Sequence, residues 1–168
     1  PETFRDRHGI DARTNHRVES IDYEAKEVHG THTETNEAFT VRYDKLLIAT
    51  GAHPLVPSLH NSDLRGIQVF KTIEQTKQLV AAIEEKQHVT VIGGGYIGLE
   101  VAEALTLAGK EVRLIQRGDR LAKNFDEAIS EAILQKARER GIEVLLNEEV
   151  TGFEGEDVVR EVTTKIGA

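Results

Sequence analysis

The spacing of apolar residues changes character twice along the chain. Residues 10–14, 17–22, 27–32 and 39–43 alternate polar and apolar side chains, with turn-prone runs such as Asp22-Tyr23-Glu24 and Thr35-Asn36-Glu37 between them. That alternation predicts a small antiparallel meander, preceded by the tail of a helix over residues 1–7 that Gly9 closes. Residues 45–51 form instead a continuous apolar run stopped by a glycine, which predicts a strand buried on both faces. Residues 52–64 show no periodicity and read as a loop or crossover.

Thr72 followed by Gln75 predicts a capping box, with Leu79, Val80 and Ile83 on one face of the helix that follows. From His88 onward the pattern is strand, glycine turn, helix, strand, helix, strand. Residues 89–92, 111–115 and 142–146 are the expected strands; Ile97, Val101 and Leu105 mark one buried helical stripe, and Ile129, Ile133 and Ala137 the next. A β-α-β-α-β order predicts an α/β fold with a parallel sheet and right-handed crossovers. The domain boundary is placed close to Lys71, dividing residues 1–71, the meander and crossover, from residues 72–168, the parallel sheet.

Composition narrows the function. No apolar stretch approaches the ~20 residues needed to cross a bilayer, so a membrane role is not expected, and a cytoplasmic protein is the default. A net charge of −8, with basic residues scattered among acids, argues against nucleic acid as a partner. The sequence has no cysteine, which excludes disulfides, thiolate metal sites and thiol redox chemistry within these residues. His29 and His32, three apart on a predicted strand, point to opposite faces, so no metal site is expected. The sequence has no methionine, and the expectation is a piece of something larger.

The chemistry concentrates in Val-Ile-Gly-Gly-Gly-Tyr-Ile-Gly-Leu-Glu, residues 91–100. Gly93, Gly95 and Gly98 match G-x-G-x-x-G directly after a predicted strand and at the opening of a helix, the fingerprint of a Rossmann-like dinucleotide site. Gly93 lets the strand turn sharply, Gly95 lets backbone approach a pyrophosphate, and Gly98 lets helix and strand pack closely; the helix N-terminus then offers free N–H groups to the phosphates. A glycine-rich turn serving only tight packing is the alternative. About 20 residues on, where an acid would bind the adenosine ribose of NAD, stands Gln116. A neutral amide tolerates a 2′-phosphate, and Arg117, with Arg120, could pair with it, unless both arginines are merely solvated.

Three stretches together resemble the pyridine nucleotide-disulfide oxidoreductases, flavoenzymes that bind two dinucleotides. They are Tyr43-Asp44-Lys45-Leu46-Leu47-Ile48-Ala49-Thr50-Gly51-Ala52, the glycine fingerprint, and Arg117-Gly118-Asp119-Arg120-Leu121 with Asn124-Phe125-Asp126. The tyrosine after three glycines and the Gly-Leu-Glu beyond it are similar to the coenzyme A-disulfide reductase, NADH oxidase and NADH peroxidase branch; the flavin-dependent ferredoxin reductases are similar in these motifs too. The resemblance implies FAD and NAD(P)H as cofactors. It implies that Thr50, Gly51 and Ala52 lie against FAD, and that Gly93, Gly94, Gly95, Tyr96, Ile97 and Gly98 bind NAD(P)H with Gln116 and Arg117. Tyr96 would gate the nicotinamide pocket and Glu100 sit beside the nicotinamide; the alternatives are an anchor between domains for Tyr96 and a first-turn acid favouring the helix dipole for Glu100.

The family's N-terminal FAD fingerprint and the redox cysteine of many members have no counterpart here. Residues 1–71 thus resemble the end of an FAD-binding domain and residues 72–168 an NAD(P)H-binding domain incomplete at its C-terminus. Hydride would pass from NAD(P)H to FAD and on to a disulfide, oxygen or peroxide in a homodimeric parent, the fragment alone being inactive. The rival is a non-catalytic sensor or structural module that binds a dinucleotide on the same fold.

Overall fold

A computed structural model describes residues 1–55 and 57–166. The chain forms two compact units, Pro1–Gly51 and Ala52–Ala168.

The first unit opens with helix α1 (Glu2–His8), which ends where Gly9 takes a left-handed φ of 65° and donates its N–H to the Arg5 carbonyl. Strands β1 (His16–Asp22), β2 (Glu27–His32) and β3 (Ala38–Arg42) pair antiparallel in that order. The Asp22 carboxylate accepts from the Glu24 and Ala25 amides and so shapes the β1–β2 turn. Buried Gly30 lies under Phe39 and the Arg17 carbonyl, an approach that leaves no space for a side chain.

Two expected strands are absent. Residues 10–14 join no ladder, and residues 45–51, expected to be doubly buried, are exposed outside any strand; Leu47 is 87% and Ile48 59% accessible. A strand buried on both faces exists only when neighbours supply hydrogen bonds and helices supply cover, and among the described residues no strand pairs with this one. The apolar run is real, but among the described residues it joins no ladder.

The second unit contains α2 (Ile73–Ile83), β4 (His88–Ile92), α3 (Tyr96–Leu107), β5 (Glu111–Gln116), α4 (Glu127–Glu139), β6 (Glu143–Leu146), β7 (Val150–Gly155) and β8 (Val159–Thr164). The capping box of α2 forms as expected: the Gln75 amide donates to the Thr72 hydroxyl, and the Thr72 amide donates to the Gln75 side chain. Strands β4, β5 and β6 make a parallel sheet in that order, with Ile92 beside Ile115 and Gln116 beside Leu146. Val112, Leu114 and Ile115 make β5 the buried centre, packed with Ala102, Leu105, Leu134 and Val144.

Both helical stripes are met in part: Leu105 and Ala137 are buried, and Val101 and Ile133 pack against the core. Helix α3 buries Ala102 and Leu105 while Ile97 is 58% exposed, and α4 buries Ser130, Leu134 and Ala137 while Ile129 is 44% exposed. Small residues join each stripe, Ala102 in α3 and Ser130 in α4, where they let helix and sheet approach.

Strands β7 and β8 form an antiparallel hairpin that the apolar spacing did not announce. Two register shifts, at Val150/Gly152 and Glu154/Gly155, break the alternation that would have marked it. The segment around His60 and Arg65 is bonded to this hairpin: Phe153 donates its amide to the His60 carbonyl at 3.0 Å and Val159 to the Arg65 carbonyl at 2.9 Å. The compact units accordingly divide at Gly51–Ala52, ahead of Lys71. Among the described residues, no helix is long and apolar enough to cross a membrane.

Candidate functional site: a glycine turn at the mouth of the parallel sheet

Strand β4 leads into Gly93, whose φ of 106° is a conformation that favours glycine. Its N–H donates to the Ile115 carbonyl at 2.8 Å, so the turn leaves the sheet still attached to β5. Gly95 is the N-cap of α3, with no side-chain cap and with nothing within 4 Å of the place a Cβ would occupy. The amides of Gly95, Tyr96 and Ile97 have no partner among the described residues. A helix N-terminus with bare backbone, open space and free donors suits an anion. Gly98 has the opposite surroundings: a Cβ there would overlap the Gly93 carbonyl oxygen.

Gly94 is buried, and a Cβ on it would overlap Leu121, which is itself fully buried. Its N–H donates to Gln116 Oε1 at 2.9 Å, and its carbonyl accepts from the Ala122 amide at 2.8 Å. Gln116, half-buried at the end of β5, donates from Nε2 to the Arg120 carbonyl at 3.3 Å. Arg117 is exposed, while Arg120 lines a cavity with Asp119, Leu121, Glu127, Ser130 and Glu131, on the side of α4. Of the two arginines, Arg117 is thus the one left to solvent.

Tyr96, the first residue of α3, is 48% exposed and meets Phe125 edge-on, with ring centroids 5.5 Å apart. Glu100 is exposed one turn further along α3. Behind the Gln116–Arg117 turn, the Asn147 amide donates to the Gly118 carbonyl and the Glu148 amide to the Gln116 carbonyl. Lys165 pairs with Glu149 at 2.5 Å and, with a further contribution from Arg117, holds that carboxyl below its usual range.

The structure therefore brings Gly93 to Gly98 and Gln116 together in one hydrogen-bonded mouth. Thr50, Gly51 and Ala52 are exposed and lie outside any strand, where the sequence passes from the first unit to the second. The motif of residues 117–121 and 124–126 includes Leu121 and Phe125, but their contacts with the glycine turn, and that of Ala122, have no signal in the sequence, since no spacing rule joins position 94 to 121.

Residues 2–168 match the family described as pyridine nucleotide-disulphide oxidoreductase. The chain belongs to this family. The pyridine nucleotide-disulphide oxidoreductases use FAD and NAD(P)H, and the free amides and open space at Gly95 fit the phosphates of such a dinucleotide. Within the family the chain is 33% identical over 146 residues to an NADH oxidase of Enterococcus faecalis, covering 86% of this chain and 33% of that protein. It is 32% identical over 158 residues to a coenzyme A disulfide reductase of Staphylococcus aureus, covering 94% of this chain and 36% of that one. Among solved structures, an engineered water-forming NADPH oxidase bound to NADPH, derived from the Lactobacillus brevis enzyme, superposes with a TM-score of 0.84 at 30% identity, over 99% of this chain and 37% of that one. The chain spans about a third of the length of these relatives.

Proposed function

We propose that the full-length protein is a flavoprotein oxidoreductase that takes hydride from NAD(P)H and passes electrons through FAD to a small acceptor, a disulfide, oxygen or peroxide. The observation that carries this reading is the open turn at Gly95, where backbone without side chains and three unpartnered amides stand at the N-terminus of α3. When bound, the cofactors supply the redox chemistry, hydride moving from nicotinamide to flavin. The residues of this chain bind, orient and admit.

In this reading the pyrophosphate accepts from the amides of Gly95, Tyr96 and Ile97, and the positive end of α3 favours its charge. Tyr96 moves aside to admit the nicotinamide, with Phe125 steadying its resting position, and Glu100 sits beside the ring. Gln116, uncharged, tolerates a 2′-phosphate that exposed Arg117 is free to pair with, so NADPH is accepted as well as NADH. Thr50, Gly51 and Ala52 lie against FAD, within a flavin-side domain of residues 1–71 that ends in a crossover, followed by the NAD(P)H-binding domain of residues 72–168. The parent works as a cytoplasmic homodimer, a state that cell fractionation and light scattering check.

The deciding experiment is spectroscopic. The purified full-length protein is expected to show flavin absorption that bleaches when NAD(P)H is added without air, and its turnover with oxygen, peroxide and coenzyme A disulfide then identifies the acceptor. A colourless protein that binds a dinucleotide without redox change would instead establish the sensor.

A further inference from the structure

Both polar ends of the Gln116 side chain are engaged inside the chain. Oε1 accepts from the Gly94 amide at 2.9 Å, and Nε2 donates to the Arg120 carbonyl at 3.3 Å. The same two turns are joined by the Ala122 amide donating to the Gly94 carbonyl at 2.8 Å and by Leu121, fully buried against Gly94. Ala122 holds a φ of 45°, unusual for a residue with a side chain, at the point where the loop turns back under the glycines. Gly93 and Gly94 thus spend their N–H groups within the protein, and the three amides after them remain free.

We propose that Gln116 is a positioning residue for the phosphate cradle. Its amide locks the turn after β4 to the loop of residues 117–121, and the lock sets where the free amides of Gly95, Tyr96 and Ile97 point. The proposal deepens the dinucleotide reading above and rests on it. Direct contact at the ribose would make residue 116 matter only to the adenosine end; a lock makes it matter to the phosphates, whatever the 2′ oxygen carries.

A primary amide suits this place because it offers an acceptor to an N–H and a donor to a carbonyl at the same time. A carboxylate keeps the bond from Gly94 but turns its second oxygen toward the Arg120 carbonyl, where two acceptors face each other. An alkyl side chain makes neither bond and leaves the partly buried Gly94 N–H without a partner, which is the costly half of a broken hydrogen bond. Gly118 contributes room: a Cβ there would stand 3.1 Å from Gln116 Nε2, tight against the group that makes the second bond.

The test uses the full-length protein with Gln116→Leu, which abolishes the lock at similar volume, and Gln116→Asn, which keeps the amide but is one methylene too short to span both groups. Hydrogen–deuterium exchange of the peptide spanning residues 93–96 is read without nucleotide, and calorimetry measures NADH, NADPH and inorganic pyrophosphate, which touches no ribose subsite. In both variants the Gly94 amide is expected to exchange about tenfold faster, and all three ligands to weaken by a common factor of roughly five to ten. Unchanged exchange overturns the lock, and a loss confined to the two dinucleotides, with pyrophosphate unaffected, overturns its role in positioning. Should Gln116→Leu fail to fold, Gln116→Asn decides on the same criteria. If the unsubstituted protein bound no dinucleotide, the proposed function would fail, yet the exchange comparison would still decide whether the lock exists.

Discussion

Replacing Gly95 and Gly93 separately by alanine distinguishes a glycine kept for a ligand from one kept for the chain. At Gly95 the backbone is extended (φ −83°, ψ −175°), a conformation any residue adopts, and a new Cβ meets nothing within 4 Å. Alanine there is a poorer N-cap by several tenths of a kcal/mol, but it stiffens the unfolded chain by about 0.4–1 kcal/mol, so stability is expected to move by less than about 0.5 kcal/mol. The same methyl group occupies the space through which a phosphate reaches the free amides. Losing one charge-assisted hydrogen bond of roughly 1.5–3 kcal/mol corresponds to a weakening of about 10- to 150-fold for NADH and NADPH alike. At Gly93 a Cβ also meets nothing within 4 Å, but the φ of 106° is strained for alanine, and that substitution is expected to cost about 1–3 kcal/mol of stability. Urea denaturation and calorimetric titration of the two full-length variants measure both quantities. Equal stability losses, or undiminished dinucleotide affinity in Gly95→Ala, would refute the reasoning.

Gln116→Glu places a negative charge beside the position assigned to the 2′-phosphate, so NADPH affinity is expected to fall more than NADH affinity; equal losses in a competition titration would remove the ribose-site assignment. Thr72→Ala deletes the acceptor of the α2 capping box and is expected to lower stability by about 1 kcal/mol in a denaturant titration. The Glu149 carboxyl is held below its ordinary value first by the Lys165 hydrogen bond and then by that lysine's charge. A depressed folded-state value means that the contribution of this pair is complete above the ordinary carboxylate range and is lost as pH falls through the lowered value. Lys165→Gln is therefore expected to raise the Glu149 titration midpoint followed by NMR, and an unmoved midpoint would count against the pairing.

Much of the candidate site was legible from local rules. The glycine spacing after an apolar run identified the turn, because few residues tolerate what Gly93 and Gly98 are asked to do, and the Thr72–Gln75 box announced its helix through a four-residue hydrogen-bond pattern. Less legible were the β7–β8 hairpin, whose bulges erase the two-residue period, and the first turns of α3 and α4, where Ile97 and Ile129 stay exposed although the stripes they open pack on the core.

Two kinds of information are therefore separable in this protein. The order of residues by itself determined the β-α-β-α-β succession and the bare glycine turn, since both arise from interactions within a few positions of one another. Only the tertiary structure decided that Gln116 reaches Gly94, that Leu121 closes over it, and that residues 45–51 find no ladder among the described residues. Those outcomes depend on contacts between distant parts of the chain, for which the spacing along it carries no signal.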